Sequence, residues 1–319
     1  MTFGIRFHDA PAEAPSDDRP STPRGLWLGR RRLTWGSSEV APLLLAYGLA
    51  PLDAKVAGWQ RECAEHYARL GIPKLIAWKA GLAEQPKGDE KSKEEGNRRE
   101  RQILTRWQFT SAHEHVDPRT VEHSDVLPRQ MLPIVDRNCA AIAVSPDAWA
   151  HGYGPADSRE LVAVEIKSTR DEVTEAPWGY VMQTQSQMDA MHATRGLIVM
   201  GIRWLREDLD DSERYLATFI VRQNDHATAM RYAVATEALT LVAEIATFEA
   251  AITTTGMDDK EKRHSLKRRK AAAANVAELW EASKERMSAW RDPSRDHIDD
   301  ALAGIDDGEL DEILSAQSA

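Results

Sequence analysis

Four apolar, β-branched runs dominate the middle of the chain: "MLPIVDRNCAAIAVSPDAW", "ELVAVEIKST", "RGLIVMGIRWL" and "RYLATFIVRQ". Turn-like or charged stretches separate them, which is the pattern of strands. Between the second and third lies "PWGYVMQTQSQMDAMHAT", whose residues suit a helix better than a strand. The first and second are joined by "AHGYGPADSRE", a Gly/Pro/Asp connection consistent with a hairpin. Upstream, "TWGSSEVAPLLLAYGLA" predicts a loop feeding a helix closed by Gly48, and residues 53–70 predict a second helix ending at Gly71. The exposed loop "AEQPKGDEKSKEE" leads to a third helix, "EEGNRRERQILTRWQF". The order α-α-α-β-β-α-β-β implies an α/β fold, a mixed central sheet flanked by helices.

The 319 residues suffice for one large domain or two small ones. Residues 1–24, rich in Pro, Ser and Asp without an apolar core, read as a disordered leader and not a secretory signal. Residues 25–228 form the expected folded body, 229–291 a helical extension and 292–319 an acidic, disordered tail. No run of eighteen apolar residues is present to span a membrane. Cys63 and Cys139 are the two cysteines, with no CxxC. That fits a reducing cytoplasm and excludes cysteine-built zinc and iron–sulfur sites. The histidines, "HEH" at 113–115 included, lack HExxH spacing, and neither GxxxxGK[ST] nor GxGxxG occurs, so zinc-hydrolase and NTPase readings fail. The net charge is −10, but the tail's nine acids and one arginine supply −8 of it. The remaining −2 is spread over a body holding "RGLWLGRRR" and "KRHSLKRRK", so total charge does not exclude a nucleic-acid partner.

The chemistry concentrates in "LVAVEIKSTR". Strand alternation puts Glu165 and Lys167 on one face, with Val164 and Ile166 on the other. A buried charge is costly unless it is paired or holds a metal. Two readings follow: an ion pair on a half-exposed strand, or an active site. Asp147 ends the preceding strand run, where an antiparallel partner brings it toward Glu165, and Glu100 lies upstream in "GNRRE". Three converging carboxylates suit a hard cation such as Mg²⁺. A lysine beside them can orient or deprotonate water or stabilise developing phosphoryl charge. Each residue alone is ordinary: Asp after Ser-Pro is commonly a turn residue, and Glu100 in a charged helix is by default solvated. The signal is the order Glu, Asp, Glu-x-Lys, then a Gln-rich helix.

That order resembles the PD-(D/E)xK nuclease superfamily and, more narrowly, the YqaJ-type viral recombinases, the group that includes phage lambda exonuclease. "LTWGSSEVAPLL" is similar to the family's N-terminal motif, "GNRRE" has its Gly-x-x-x-Glu spacing, and "YVMQTQSQM" matches its Tyr-x-x-Gln-x-Gln motif. The match runs from about residue 28 to about 222; a departure is Ala148 after Asp147, where the family often has Gly. The resemblance implies that Asp147, Glu165 and the Ile166 carbonyl are metal ligands, with Glu100 serving a second ion or its water. Lys167 is implied to position the attacking water, and Gln185, supported by Gln183, to hold that water or the scissile phosphate. The implied cofactor is Mg²⁺, with Mn²⁺ able to substitute. A 5′-phosphate pocket is implied at Arg31, Ser38 and Ser145, with Arg30 and Arg32 as alternatives to Arg31 and helix N-capping as an equal reading of Ser38. Trp35 is the candidate for stacking on a terminal base, whereas Trp59, Trp78 and Trp107 read as core.

The implied function is a cytoplasmic, Mg²⁺-dependent 5′-to-3′ exonuclease on linear double-stranded DNA. It leaves 3′ single-stranded tails for recombination, beside a single-strand annealing protein and as a trimeric ring. The alternatives are a RecB-type or site-specific endonuclease, and a catalytically idle DNA-end-binding module. The acidic tail reads as a solubilising end, a DNA mimic or a docking handle.

Overall fold

The computed structural model describes residues 31–49, 71–80, 90–123, 133–153, 160–170, 172–206, 209–210, 213–253 and 277–291. The leader, the helix expected at 53–70, the cluster "KRHSLKRRK" and the acidic tail lie outside the described residues. Two long parallel strands form the centre, β6 (Leu161–Ser168) and β7 (Arg195–Ile202), paired from Val162↔Arg195 to Ser168↔Gly201. A parallel pair needs a crossover, and the Gln-rich segment supplies it as α4 (Trp178–Met191). Antiparallel neighbours flank the pair: β5 (Ala148–His151) on β6 and β8 (Tyr215–Arg222) on β7. With β2 (Glu122–His123) beside β5, the five-stranded order is β2-β5-β6-β7-β8.

The first apolar run is not one strand. It breaks into β3 (Ile134–Val135), β4 (Ile142–Val144) and β5. The Asp136 carboxylate accepts from the Asn138 N–H at 2.8 Å and the Cys139 N–H at 3.3 Å, closing a turn that folds β3 back on β4. Parallel to β4 runs β1 (Trp35–Gly36), completing a second sheet of order β1-β4-β3. Helix α1 (Ser37–Ala46) follows β1 directly. Gly48, at φ 70°, ends it as expected: Gly48 N–H reaches the Leu45 carbonyl and Leu49 N–H the Leu44 carbonyl at 2.9 Å.

Alternation along the central strands assigns each face a helix. Val162, Val164 and Ile166 pack with Ile103, Leu104 and Trp107 of α3 (Glu90–Thr110). Ala163, Ile198 and Met200 pack with Met188 of α4. Glu165 and Lys167, in phase with Ala163, therefore belong to the α4 face. α4 approaches closely because Gly196 has no side chain: a Cβ there would lie 2.4 Å from Thr184 Cγ2 and 2.8 Å from Met188 Sδ.

Helix α5 (Asp225–Thr253) starts at Asn224, whose side chain accepts from the Ala227 N–H at 2.9 Å. Its Val234, Ala235, Ala238 and Leu241 are wholly buried against Val40, Leu43 and Leu44 of α1. The boundary expected at 228/229 thus falls inside a core helix. Helical residues 277–286 dock beside it through Ser283, which meets the Tyr47 hydroxyl at 2.7 Å and donates to Glu237 at 2.7 Å. Among the described residues, no helix is long and apolar enough to cross a membrane.

Gly196→Ala is expected to cost about 1–3 kcal/mol by forcing α4 off the sheet. Gly96→Ala, on α3 with nothing within 4 Å of its Cβ, is expected to gain about 0.5–1 kcal/mol. Denaturant titration of both variants checks the pair.

Candidate active site

Glu165 is fully buried at the centre of β6. Its Oε1 accepts from Lys167 Nζ and from Gln183 Nε2 at 2.6 Å, and its Oε2 accepts from Gln187 Nε2 at 2.6 Å. Gln183 and Gln187 stand one helical turn apart on α4, so both reach the same carboxylate. Asp147 sits in the connection from β4 to β5, one residue before β5 begins. Its Oδ2 accepts from the Ile166 N–H at 2.9 Å and lies 3.8 Å from Lys167 Nζ. The ammonium of Lys167 therefore bridges the two carboxylates, and it lies 5.4 Å from the centre of the Tyr180 ring.

The edge of β6 explains why Ile166 belongs here. The β5–β6 ladder ends at Ala148↔Val164. A strand residue directs its N–H and C=O to the same side. Ile166 thus points both groups past the end of β5, where Asp147 takes the N–H.

Two carboxylates and one ammonium leave the cluster one positive charge short. Burial pushes the Glu165 carboxyl up to about 8, and Asp147 adds to the shift against Lys167 and Gln187. Burial alone would lower Lys167, but Glu165 and Asp147 outweigh it and hold the lysine above its ordinary value. The cluster gains by taking up either a proton or a cation. Asp147, Glu165 and the Ile166 carbonyl fit a hard divalent cation in kind, since all are oxygen donors. In number they suit one ion and not two.

Among the described residues, no group of three His, Cys, Asp or Glu side chains is placed to hold a metal, and α3, which carries Glu100, packs on the sheet face opposite Glu165. Gln185 is turned away from Glu165. Two positions from Gln183, it points about 200° around the helix. Its amide donates to the Arg222 carbonyl at 2.9 Å and accepts from Arg231 at 2.6 Å. Gln187, which the sequence reading did not single out, takes the place beside Glu165. The spacing of four from Gln183 was the available signal.

The residues expected to bind a 5′-phosphate divide. Ser38 and Ser145 are both exposed, each two residues beyond the Gly36↔Ala143 pair of β1 and β4. The parallel register thus carries both hydroxyls out at one end of the sheet. Ser38 is not the N-cap, a position held by Gly36. Arg30 lies outside the described residues. Arg31 is partly exposed, and its guanidinium pairs with Glu39, which also accepts from the Gly36 N–H at 2.9 Å. Trp35 is wholly buried, with Lys79 Nζ 4.6 Å above its ring, and so presents no face for base stacking. Lys79 donates to the Arg31 and Thr34 carbonyls, and burial pulls it down to about 8 despite Glu39 at 3.7 Å.

Fold and cluster define the class: a mixed α/β sheet whose central strand carries a buried glutamate, joined through a half-buried lysine to a half-buried aspartate. No protein-family model matches the chain, and no curated protein matches it in sequence. Among solved structures it is similar to an alkaline exonuclease from Laribacter hongkongensis, LHK-Exo (TM-score 0.46, 14% identity, 71% of this chain and 96% of that one). The same enzyme with dAMP gives TM-score 0.46 and 15% identity over 71% and 98% of the two chains. A phage-related exonuclease from Haemophilus somnus 129PT gives TM-score 0.40 and 14% identity over 67% and 96%.

The raised Glu165 carboxyl has a consequence for stability. Between the ordinary value of 4.5 and about 8, the folded state holds a proton that the unfolded state has released. The contribution of this group to stability is therefore full below pH 4.5 and is lost as pH rises through about 8. In chelator, the wild type is expected to lose roughly 1–4 kcal/mol relative to Glu165→Gln over that window. A pH-independent difference between the two denaturation curves would contradict the burial account.

Proposed function

We propose that the chain is a divalent-metal-dependent deoxyribonuclease that degrades linear double-stranded DNA from its 5′ ends and leaves 3′ single-stranded tails. The observation that carries this reading is the buried Glu165 carboxyl, bridged by Lys167 to the half-buried Asp147 and short of one positive charge where the β5–β6 ladder ends. A cluster that only stabilised the fold would do better with apolar residues of similar volume. The motifs around it support the same reading, since "SSEV", Gly-x-x-x-Glu and the Gln-rich helix occur in the order of the YqaJ-type recombinases.

Asp147, Glu165 and the Ile166 carbonyl would hold the ion, Mg²⁺ with Mn²⁺ able to substitute. When bound, it supplies Lewis acidity toward a phosphoryl oxygen and lowers the pKa of water. Lys167, which bridges both carboxylates, would orient a nucleophilic water and donate to a phosphate oxygen. Gln183 and Gln187 fix the rotamer of Glu165 by holding both its oxygens. Ser38 and Ser145 offer hydroxyls to a terminal phosphate, and Arg31 a cation once it loosens from Glu39. A role for Glu100, assembly as a trimeric ring and a single-strand annealing partner belong to the same proposal by resemblance.

Digestion of linear duplex in Mg²⁺, with and without a 5′-phosphate, tests it. Asp147→Ala and Lys167→Ala are each expected to slow digestion by about 100-fold or more. Covalently closed plasmid is expected to remain intact; its cleavage would favour the endonuclease reading. Binding of DNA ends with no digestion in either metal would favour the idle module. A Lys167→Ala variant as fast as wild type removes the proposed site.

A further inference from the structure

α4 carries a second polar group that the proposed chemistry does not use. From Thr184 to Ala190 every residue of this helix is buried. Seven consecutive residues make almost two turns, so this part of α4 has no solvent face. An amphipathic helix takes its rotation about its own axis from the contrast between an apolar and a wet side. This one cannot. Its glutamine and aspartate side chains stand in two sets about 200° apart: Gln183 and Gln187 on Glu165, Gln185 and Asp189 on the opposite side.

The second set meets Arg231 of α5, whose side chain is fully buried. Arg231 Nη1 donates to Gln185 Oε1 at 2.6 Å, while Nη2 donates to Asp189 Oδ2 at 2.6 Å and to Thr228 Oγ1 at 2.8 Å. Gln185 in turn donates to the Arg222 carbonyl at the end of β8, and Gln223 donates to Asp189. The next residue, Tyr232, donates to Asp136 in the β3–β4 turn at 2.7 Å. A planar guanidinium grips two acceptors one turn apart on α4 and so fixes both the rotation and the height of that helix.

We infer that Arg231 is a positioning residue for the cluster: its fork on Gln185 and Asp189 sets the rotation of α4 that delivers Gln183 and Gln187 to Glu165. The inference rests on reading Glu165 as the working carboxylate. A buried ion pair is weak evidence for stability, and fixing one arrangement among several is its better-attested use. Lysine cannot replace the fork, because a single ammonium does not span two acceptors with fixed geometry.

The test uses the full-length, metal-free protein with ¹⁵N-labelled glutamine side chains. The amide signals of Gln183 and Gln187 are assigned by their loss in Gln183→Met and Gln187→Met. Arg231→Lys and Arg231→Met are expected to keep their helical circular dichroism but to lose or shift both signals. On linear duplex, kcat is expected to fall about 10- to 100-fold with KM little changed. A folded Arg231→Lys or Arg231→Met variant with both signals and kcat unchanged overturns the inference and leaves Arg231 a structural residue. Should neither variant fold, Asp189→Asn and Gln185→Met read the same signals, and the same outcomes decide. If the wild type digests no DNA in any metal, the nuclease reading fails, and the glutamine signals still decide the positioning role.

Discussion

The structure is organised around the cost of carrying one carboxylate, Glu165, into the middle of a sheet. An isolated ion there is prohibitively unfavourable, so its surroundings must supply donors and charge. Lys167 comes from the same strand face, two residues on. The other donors come from α4, which must therefore carry glutamines where a crossover helix would ordinarily carry aliphatic residues. Because α4 is then polar on two sides, the far side needs its own partner, and Arg231 draws α5 into the core. One buried charge thus propagates from β6 to α4 and on to α5.

Much of this was legible in the sequence, and the reasons for success and failure are physical. β6, β7 and β8 read correctly because each is a β-branched run bounded by turn or charged residues. Glu165 and Lys167 were found by strand alternation, and the approach of Asp147 by the hairpin that follows it. The first apolar run was misread as one strand because its punctuation, the Asp136 turn and Ser145-Pro146, lies inside apolar sequence. α5 read as an appendage because its buried stripe is rich in alanine and contains an arginine, which gives little hydrophobic contrast.

The departures within the site have a common origin. Gln185 was favoured over Gln187 because motif spacing is linear, whereas a helix presents residues four apart on one side. Glu100 was grouped with the other acids from sequence order, which does not carry the packing of its helix, α3, on the sheet face opposite Glu165. Trp35 was read as a stacking surface from its neighbours in sequence, but Lys79, on α2 (Ile72–Lys79), covers it. Contacts made along the chain were recoverable; contacts made across it were not.

The open edge at Ile166 has an evolutionary corollary. Its side chain is an ordinary member of the apolar layer against α3, while its peptide groups face Asp147. Natural selection can exchange that isoleucine for valine or leucine without altering what the main chain offers. A position that contributes only through its peptide unit leaves no trace in residue identity, and comparison of sequences would file it with the packing.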